Sequence, residues 1–293
     1  MGDGRVRRGV DCYDSSCRDP GDQLLDTSAS YEGGSSEEII GRALQGRRDR
    51  YIVATKVKPV TDDLEDEDLA RQQIVEICEA SLKRLQTDYI DILQLHRDPP
   101  EPTMAVVMET LADLKSQGKI RWAGISSNNT KVIGQLEALG ELAVVQVGFN
   151  LINRGGESSL AHAQAENLGA LIRMPMASGA LTGKYFHAQD QLTGEDLRKG
   201  RFMTERGAAA LDRLSELLFL TEGNRRTMVQ AALRFVLDTD GVTTVIPGAK
   251  SRKQLEENAA AVDVPPLTPQ ERQRAMLIAG EVASISSLGI IQG

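Results

Sequence analysis

Four side chains able to carry or move a proton stand at or just beyond the ends of three successive apolar runs. Asp26 closes Leu24-Leu25, and Tyr31 follows five residues on. Lys56 closes Tyr51-Ile-Val-Ala-Thr55, and His96 closes Ile92-Leu-Gln-Leu95. Alone, each has a bland explanation: a turn cap, a rim aromatic, a snorkelling lysine, a satisfied core histidine. Together, at three adjacent strand ends, they would be costly unless paired. In a parallel barrel such ends converge on the functional face.

The elements that must carry these groups alternate along the chain. Short apolar runs at 23–28, 51–57, 90–96, 122–127, 143–149, 170–174 and 243–246 are β-branched or leucine-rich. Most are too continuous for a half-exposed sheet, which favours strands buried on both faces. Helical patterns lie between them. Residues 36–44 follow a glycine pair, and 69–85 place Ile74, Ile77, Cys78, Ser81, Leu82 and Leu85 three and four apart. Residues 104–114 close at Gln117-Gly118, a helix stop. Strands alternating with helices predict βαβ units and a parallel sheet. Seven units are recognisable. The stretch 178–223 is expected to hold a flap and helical turns such as 208–218, and Pro265-Pro-Leu-Thr-Pro-Gln-Glu271 opens a C-terminal helix outside the sheet.

The chain has 293 residues with 34 Lys+Arg against 42 Asp+Glu, a formal charge of −8. That length suits one α/β barrel, and no linker-like shift divides it. An acidic balance disfavours nucleic acid or an anionic membrane as main partner. No apolar run approaches the ~20 residues of a membrane span. The opening Met1-Gly-Asp-Gly-Arg-Val-Arg-Arg8 lacks a signal-peptide core, so a cytoplasmic protein is expected. Three cysteines (Cys12, Cys17, Cys78) make neither a disulfide framework nor a zinc set, and His96, His162 and His187 show no ligand clustering. No metal is expected.

Other motifs fail on spacing. Gly179-Ala-Leu-Thr-Gly183-Lys184-Tyr185 is one residue short of a phosphate loop and lacks its magnesium-binding hydroxyl. No G-x-G-x-x-G follows a strand. The acidic run Asp62-Asp-Leu-Glu-Asp-Glu-Asp68 lacks a calcium-loop pattern and reads as carboxylates favouring a helix start.

Taken in order, a longer series of motifs resembles the aldo-keto reductase family. These are Leu25-Asp-Thr-Ser-Ala-Ser-Tyr31 with Ser36-Glu-Glu-Ile-Ile-Gly41, Ala54-Thr-Lys56, Leu82-Lys-Arg-Leu-Gln-Thr-Asp-Tyr-Ile-Asp91 and Gln94-Leu-His96. Gln117-Gly-Lys-Ile-Arg121, Gly124-Ile-Ser126, Gln146 with Asn150, Leu181-Thr-Gly-Lys184, and Ile246-Pro-Gly248 with Gln254 and Asn258 continue it. The resemblance implies a (β/α)8 TIM barrel that binds a nicotinamide cofactor without a Rossmann domain and reduces small aldehydes or ketones.

Carried over, Tyr31 would protonate the carbonyl oxygen as hydride arrives. Lys56 would favour its phenolate, Asp26 would hold Lys56, and His96 would orient the carbonyl. Ser126 and Gln146 resemble the residues that hold the carboxamide, with Asn128 as a further candidate because Ser126-Ser127 replaces the usual Ser-Asn. Arg173 stands where many members stack an aromatic. Leu181, Gly183 and Lys184 would follow the pyrophosphate. Lys250 and Arg252 would meet a 2′-phosphate, favouring NADPH over NADH, and Gln254 and Asn258 would reach the adenine. Trp122, four residues before Ser126, would report binding by fluorescence.

The chain departs from the family upstream of Asp26. If residues 10–13 were a strand, only 14–22 would remain for a crossover that needs about a dozen residues, and Pro20-Gly21 argues against a helix there. The expectation is an atypical segment 1–22 and a barrel domain 23–293 in which seven units are recognisable. Edges would then fall on the Asp26 and Thr243 strands. Another segment, or a second subunit of a homo-oligomer, could cover them. The alternative function is a catalytically impaired binding or regulatory protein.

Overall fold

The computed structural model describes residues 23–58, 66–186, 202 and 204–285. The segment 1–22, with Cys12 and Cys17, and His187 lie outside the described residues. The apolar runs form seven strands: β1 (Gln23–Asp26), β2 (Tyr51–Val57), β3 (Ile90–Leu95), β4 (Ile120–Ser126), β5 (Val144–Gly148), β6 (Gly169–Arg173) and β7 (Thr244–Val245). They pair in chain order, each parallel to the next. Among the described residues nothing pairs with the outer edges of β1 and β7, the edges expected from the sequence.

Helices return the chain between strands: α1 (Ser35–Ala43), α2 (Glu67–Leu85), α3 (Met104–Ser116), α4 (Thr130–Leu139), α5 (Glu157–Ala165), and α6 (Glu205–Ser215) with α7 (Met228–Leu237). After β7 come α8 (Arg252–Ala259) and α9 (Pro269–Ile285). Their starts are read locally. Asp66 caps α2 by accepting from the Asp68 and Leu69 N–H groups, so the end of the acidic run does serve a helix start. Thr227 and Gln230 form a capping box on α7. Helix α6 begins and ends three residues earlier than expected, because the Thr204 side chain caps it.

Pleating sorts the strands into two layers. Val53, Leu93, Ile125, Val145 and Ile172 face outward into the main core against the helices. Leu24, Ala54, Ile92, Val144, Leu171 and Ile246 cluster on the inner face. That cluster requires a curled sheet. Gln146 on β5 donates to Asp26 on β1 across 2.8 Å, whereas four strand spacings in a flat sheet would separate them by about 19 Å. Trp122 lies early in β4 and is 47% exposed, with the Lys115 ammonium 4.6 Å from its ring centroid. Four residues at ~3.3 Å each put it about 13 Å from Ser126 along the strand.

Candidate active site

Asp26, Lys56 and Gln94, the last inward-facing residues of β1, β2 and β3, join Gln146 of β5 in one buried polar network. The Lys56 ammonium, 1% exposed, donates to Asp26 Oδ2 at 2.5 Å and to the Thr27 carbonyl at 2.8 Å. Gln146 Nε2 donates to Asp26 Oδ1 at 2.8 Å, and Gln94 Nε2 reaches the same oxygen at 3.3 Å. Burial alone would pull the Lys56 pKa down. The Asp26 carboxylate and then the Tyr31 oxygen outweigh it, and the pKa is held above the ordinary lysine value. Gly124 makes room for this layer, since a Cβ there would stand 3.0 Å from Gln94 Cγ and 2.8 Å from the Val144 carbonyl.

The third bond of Lys56 points out of the network. Its Nζ lies 3.5 Å from the Tyr31 phenolic oxygen, which can accept its proton, and the phenol side chain is 40% exposed. The Tyr31 ring meets His96 edge-on at a centroid distance of 5.8 Å. His96 Nδ1 lies 3.1 Å from the Ser28 hydroxyl. Burial, and then the Lys56 charge, push the His96 pKa down to about 4. At neutral pH the imidazole is therefore uncharged, offering one donor and one acceptor.

These groups open on a cavity of about 1300 Å³ lined by Asp26, Tyr31, His96, Arg97, Asp98, Ser126, Asn128, Gln146, Arg173 and others. A second cavity of about 670 Å³ shares Met174 and Ile246 with it, and is lined by Lys184, Lys250, Gln254, Glu257 and Asn258. The wall after β6 is conformationally demanding. Met174, Ala177 and Ser178 have φ of 57°, 49° and 54°, and Gly179 and Gly183 are also left-handed. Strain of this kind tends to gather at ligand sites.

The sequence-derived residues fall into groups. Asp26, Tyr31, Lys56 and His96 come together, as do Ser126, Gln146 and Arg173 around the first cavity. Gly148, opposite Arg173 in the ladder, leaves space for it: a Cβ there would lie 3.1 Å from its guanidinium carbon. Asn128 lines the cavity, but both ends of its amide close on the Gly148 backbone at 2.8 Å. Lys184, Lys250, Gln254 and Asn258 line the second cavity. Arg252 pairs with Glu256 at 2.8 Å, and neither it, Leu181 nor Gly183 lines either cavity. Leu181 is fully buried in the core. Sequence reasoning missed Gln94, Ser28 and Glu257. Gln94 had a signal, for it shares the inward parity of Ile92 at the strand's far end.

The Aldo/keto reductase family model matches residues 15–276. The chain is 34% identical over 251 residues to aldo-keto reductase YhdN of Bacillus subtilis (strain 168), covering 81% of this chain and 74% of that protein. It is 30% identical over 262 residues to the NADH-specific methylglyoxal reductase of Escherichia coli (strain K12), covering 83% and 79%. Its fold is similar, at a TM-score of 0.68 and 28% identity, to an aldo-keto reductase from Klebsiella pneumoniae in complex with NADPH, over 88% and 80% of the two chains. The matched span contains the whole sheet and every residue of the buried polar network, and the chain belongs to the aldo/keto reductase family.

Proposed function

We propose that this protein reduces a small aldehyde or ketone to an alcohol with NADPH, and that Tyr31 is the acid. One observation carries the reading: a buried ammonium, fixed by Asp26, with its remaining bond aimed at a phenol on the cavity wall. A bound reduced nicotinamide nucleotide supplies the hydride. Tyr31 gives its phenolic proton to the carbonyl oxygen as the alcohol forms. The Lys56 ammonium stabilises the phenolate left behind. Asp26, accepting from Lys56, Gln94 and Gln146, keeps that ammonium charged and in place. His96 offers an N–H to the oxygen without bringing a charge. The half-exposed phenol regains its proton from solvent.

The donor set suits a dinucleotide reaching across both cavities. Ser126 and the Gln146 Oε1 would hold the carboxamide, with Arg173 flat against the ring. Lys184 would face the pyrophosphate. Lys250 and Arg252 would face a 2′-phosphate at the start of α8, where the helix N-terminus also favours an anion. Gln254 and Asn258 would reach the adenine. Asn128 would shape the wall of the first cavity, and Leu181 and Gly183 would support the segment that carries Lys184. The NADH-specific relative makes nucleotide choice a direct test: Lys250→Ala with Arg252→Ala should weaken NADPH far more than NADH.

A second reading draws on the outer edges of β1 and β7, unpaired among the described residues, since β1 carries Asp26. It is a binding or regulatory protein that holds nucleotide without turnover. Mixing the protein with NADPH and a reactive small aldehyde separates the two. Nucleotide consumption supports the reductase; tight binding without consumption overturns it.

A further inference from the structure

Ser28 touches both halves of the proton-handling pair, from a position where it is itself fully buried. Its carbonyl accepts the Tyr31 N–H at 3.1 Å, closing the turn that presents the phenol. Its hydroxyl lies 3.1 Å from His96 Nδ1, and its oxygen accepts the Ser30 N–H at 3.2 Å. A neutral imidazole has two tautomers, and the bond at one ring nitrogen sets the state of the other. If Nδ1 carried the proton it would donate to Ser28, and Nε2 could only accept. If the Ser28 hydroxyl donates to Nδ1, Nε2 carries the proton and can donate into the cavity that His96 lines.

We infer that Ser28 is a positioning residue whose hydroxyl donates to His96 Nδ1, fixing the Nε2–H tautomer that recognises a carbonyl oxygen. This rests on the reductase reading, because only a carbonyl acceptor calls for a donor at Nε2. Among the described residues no protein group pairs with Nε2, so the proton there is available to a substrate. Among the described residues the Ser30 hydroxyl, 3.5 Å from Nδ1 and 3.0 Å from Ser28 Oγ, is the one other side chain placed to compete.

Nitrogen-15 NMR of histidine-labelled protein reads the tautomer without any turnover. The wild type should show His96 as the Nε2–H form near neutral pH, and Ser28→Ala should shift it toward a mixture. In the same variant, kcat/KM for a small aldehyde should fall roughly tenfold, about one hydrogen bond, while NADPH affinity stays unchanged. Ser28→Thr, which keeps the hydroxyl, should restore the Nε2–H signal and most of the rate. An Nδ1–H form in the wild type would overturn the inference, as would an unchanged tautomer and kcat/KM in Ser28→Ala. If the wild type failed to consume NADPH at all, the reductase reading would fall, and the tautomer signal would still decide the role of Ser28.

Discussion

Thr55 and Lys56 are neighbours on β2 that point to opposite faces of the sheet, and each meets a buried carboxylate. On the outer face Thr55 donates to Glu37 Oε1 at 2.6 Å, while Arg84 donates to Glu37 Oε2 at 2.7 Å. Asp91, also outward, accepts from Arg48 at 2.6 Å, Arg121 at 2.8 Å and the Val53 N–H at 2.9 Å. These outer acids spend their capacity joining strands, helices and loops. On the inner face Lys56 satisfies Asp26 and still directs a bond at an exposed phenol. Burying a charge is expensive on either face. The side on which leftover hydrogen-bonding capacity reaches a cavity is the side that can do chemistry.

That contrast can be broken at both faces. Lys56→Met should lower turnover by about 10²–10⁴-fold, the range of a lost acid–base apparatus, as measured by NADPH consumption. Full activity would make the inner pair structural, like the outer ones. Glu37→Ala should instead cost stability, about 2–3 kcal/mol in urea unfolding. That is below the ~3–5 kcal/mol of a fully buried broken pair, because Arg84 keeps 25% of its side chain exposed. Its kcat per folded molecule should hold, and a collapse of kcat at intact fold would erase the distinction.

Gln94→Leu removes one donor to Asp26 and should cost about 1 kcal/mol of stability, with a rate loss well short of the Lys56 variant. The smallest effect is a pH dependence. His96 titrates at about 4 when folded, below its ordinary 6.5, so between these values the unfolded chain binds the proton first. Stability is full above about pH 6.5 and declines as pH falls toward 4. His96→Gln should flatten part of that slope in pH-dependent unfolding.

The sequence made the outer frame legible because continuous apolar runs and helix caps are local signals. Asp26, Lys56 and His96 stood out because each ends such a run. Gln94 did not, since a single amide inside Ile92-Leu-Gln-Leu95 reads as strand until its pleat parity is followed across to Asp26. Asn128 shows a limit of local pattern: its amide closes on the Gly148 backbone, a contact between the loop after β4 and the end of β5 that neither segment encodes. Among the described residues β7 ladders with β6 alone, at Leu171 and Ile172, and is shorter than its apolar run.

In the proposed reaction the Tyr31 hydroxyl, held by Lys56, delivers the proton. Replacing Tyr31 by Phe removes one exposed oxygen and leaves Asp26–Lys56 intact. Single-turnover reduction of a small aldehyde should then slow by about 10²–10⁴-fold, with NADPH affinity and thermal unfolding unchanged. A Tyr31→Phe protein that reduces the aldehyde at the wild-type rate would contradict the account.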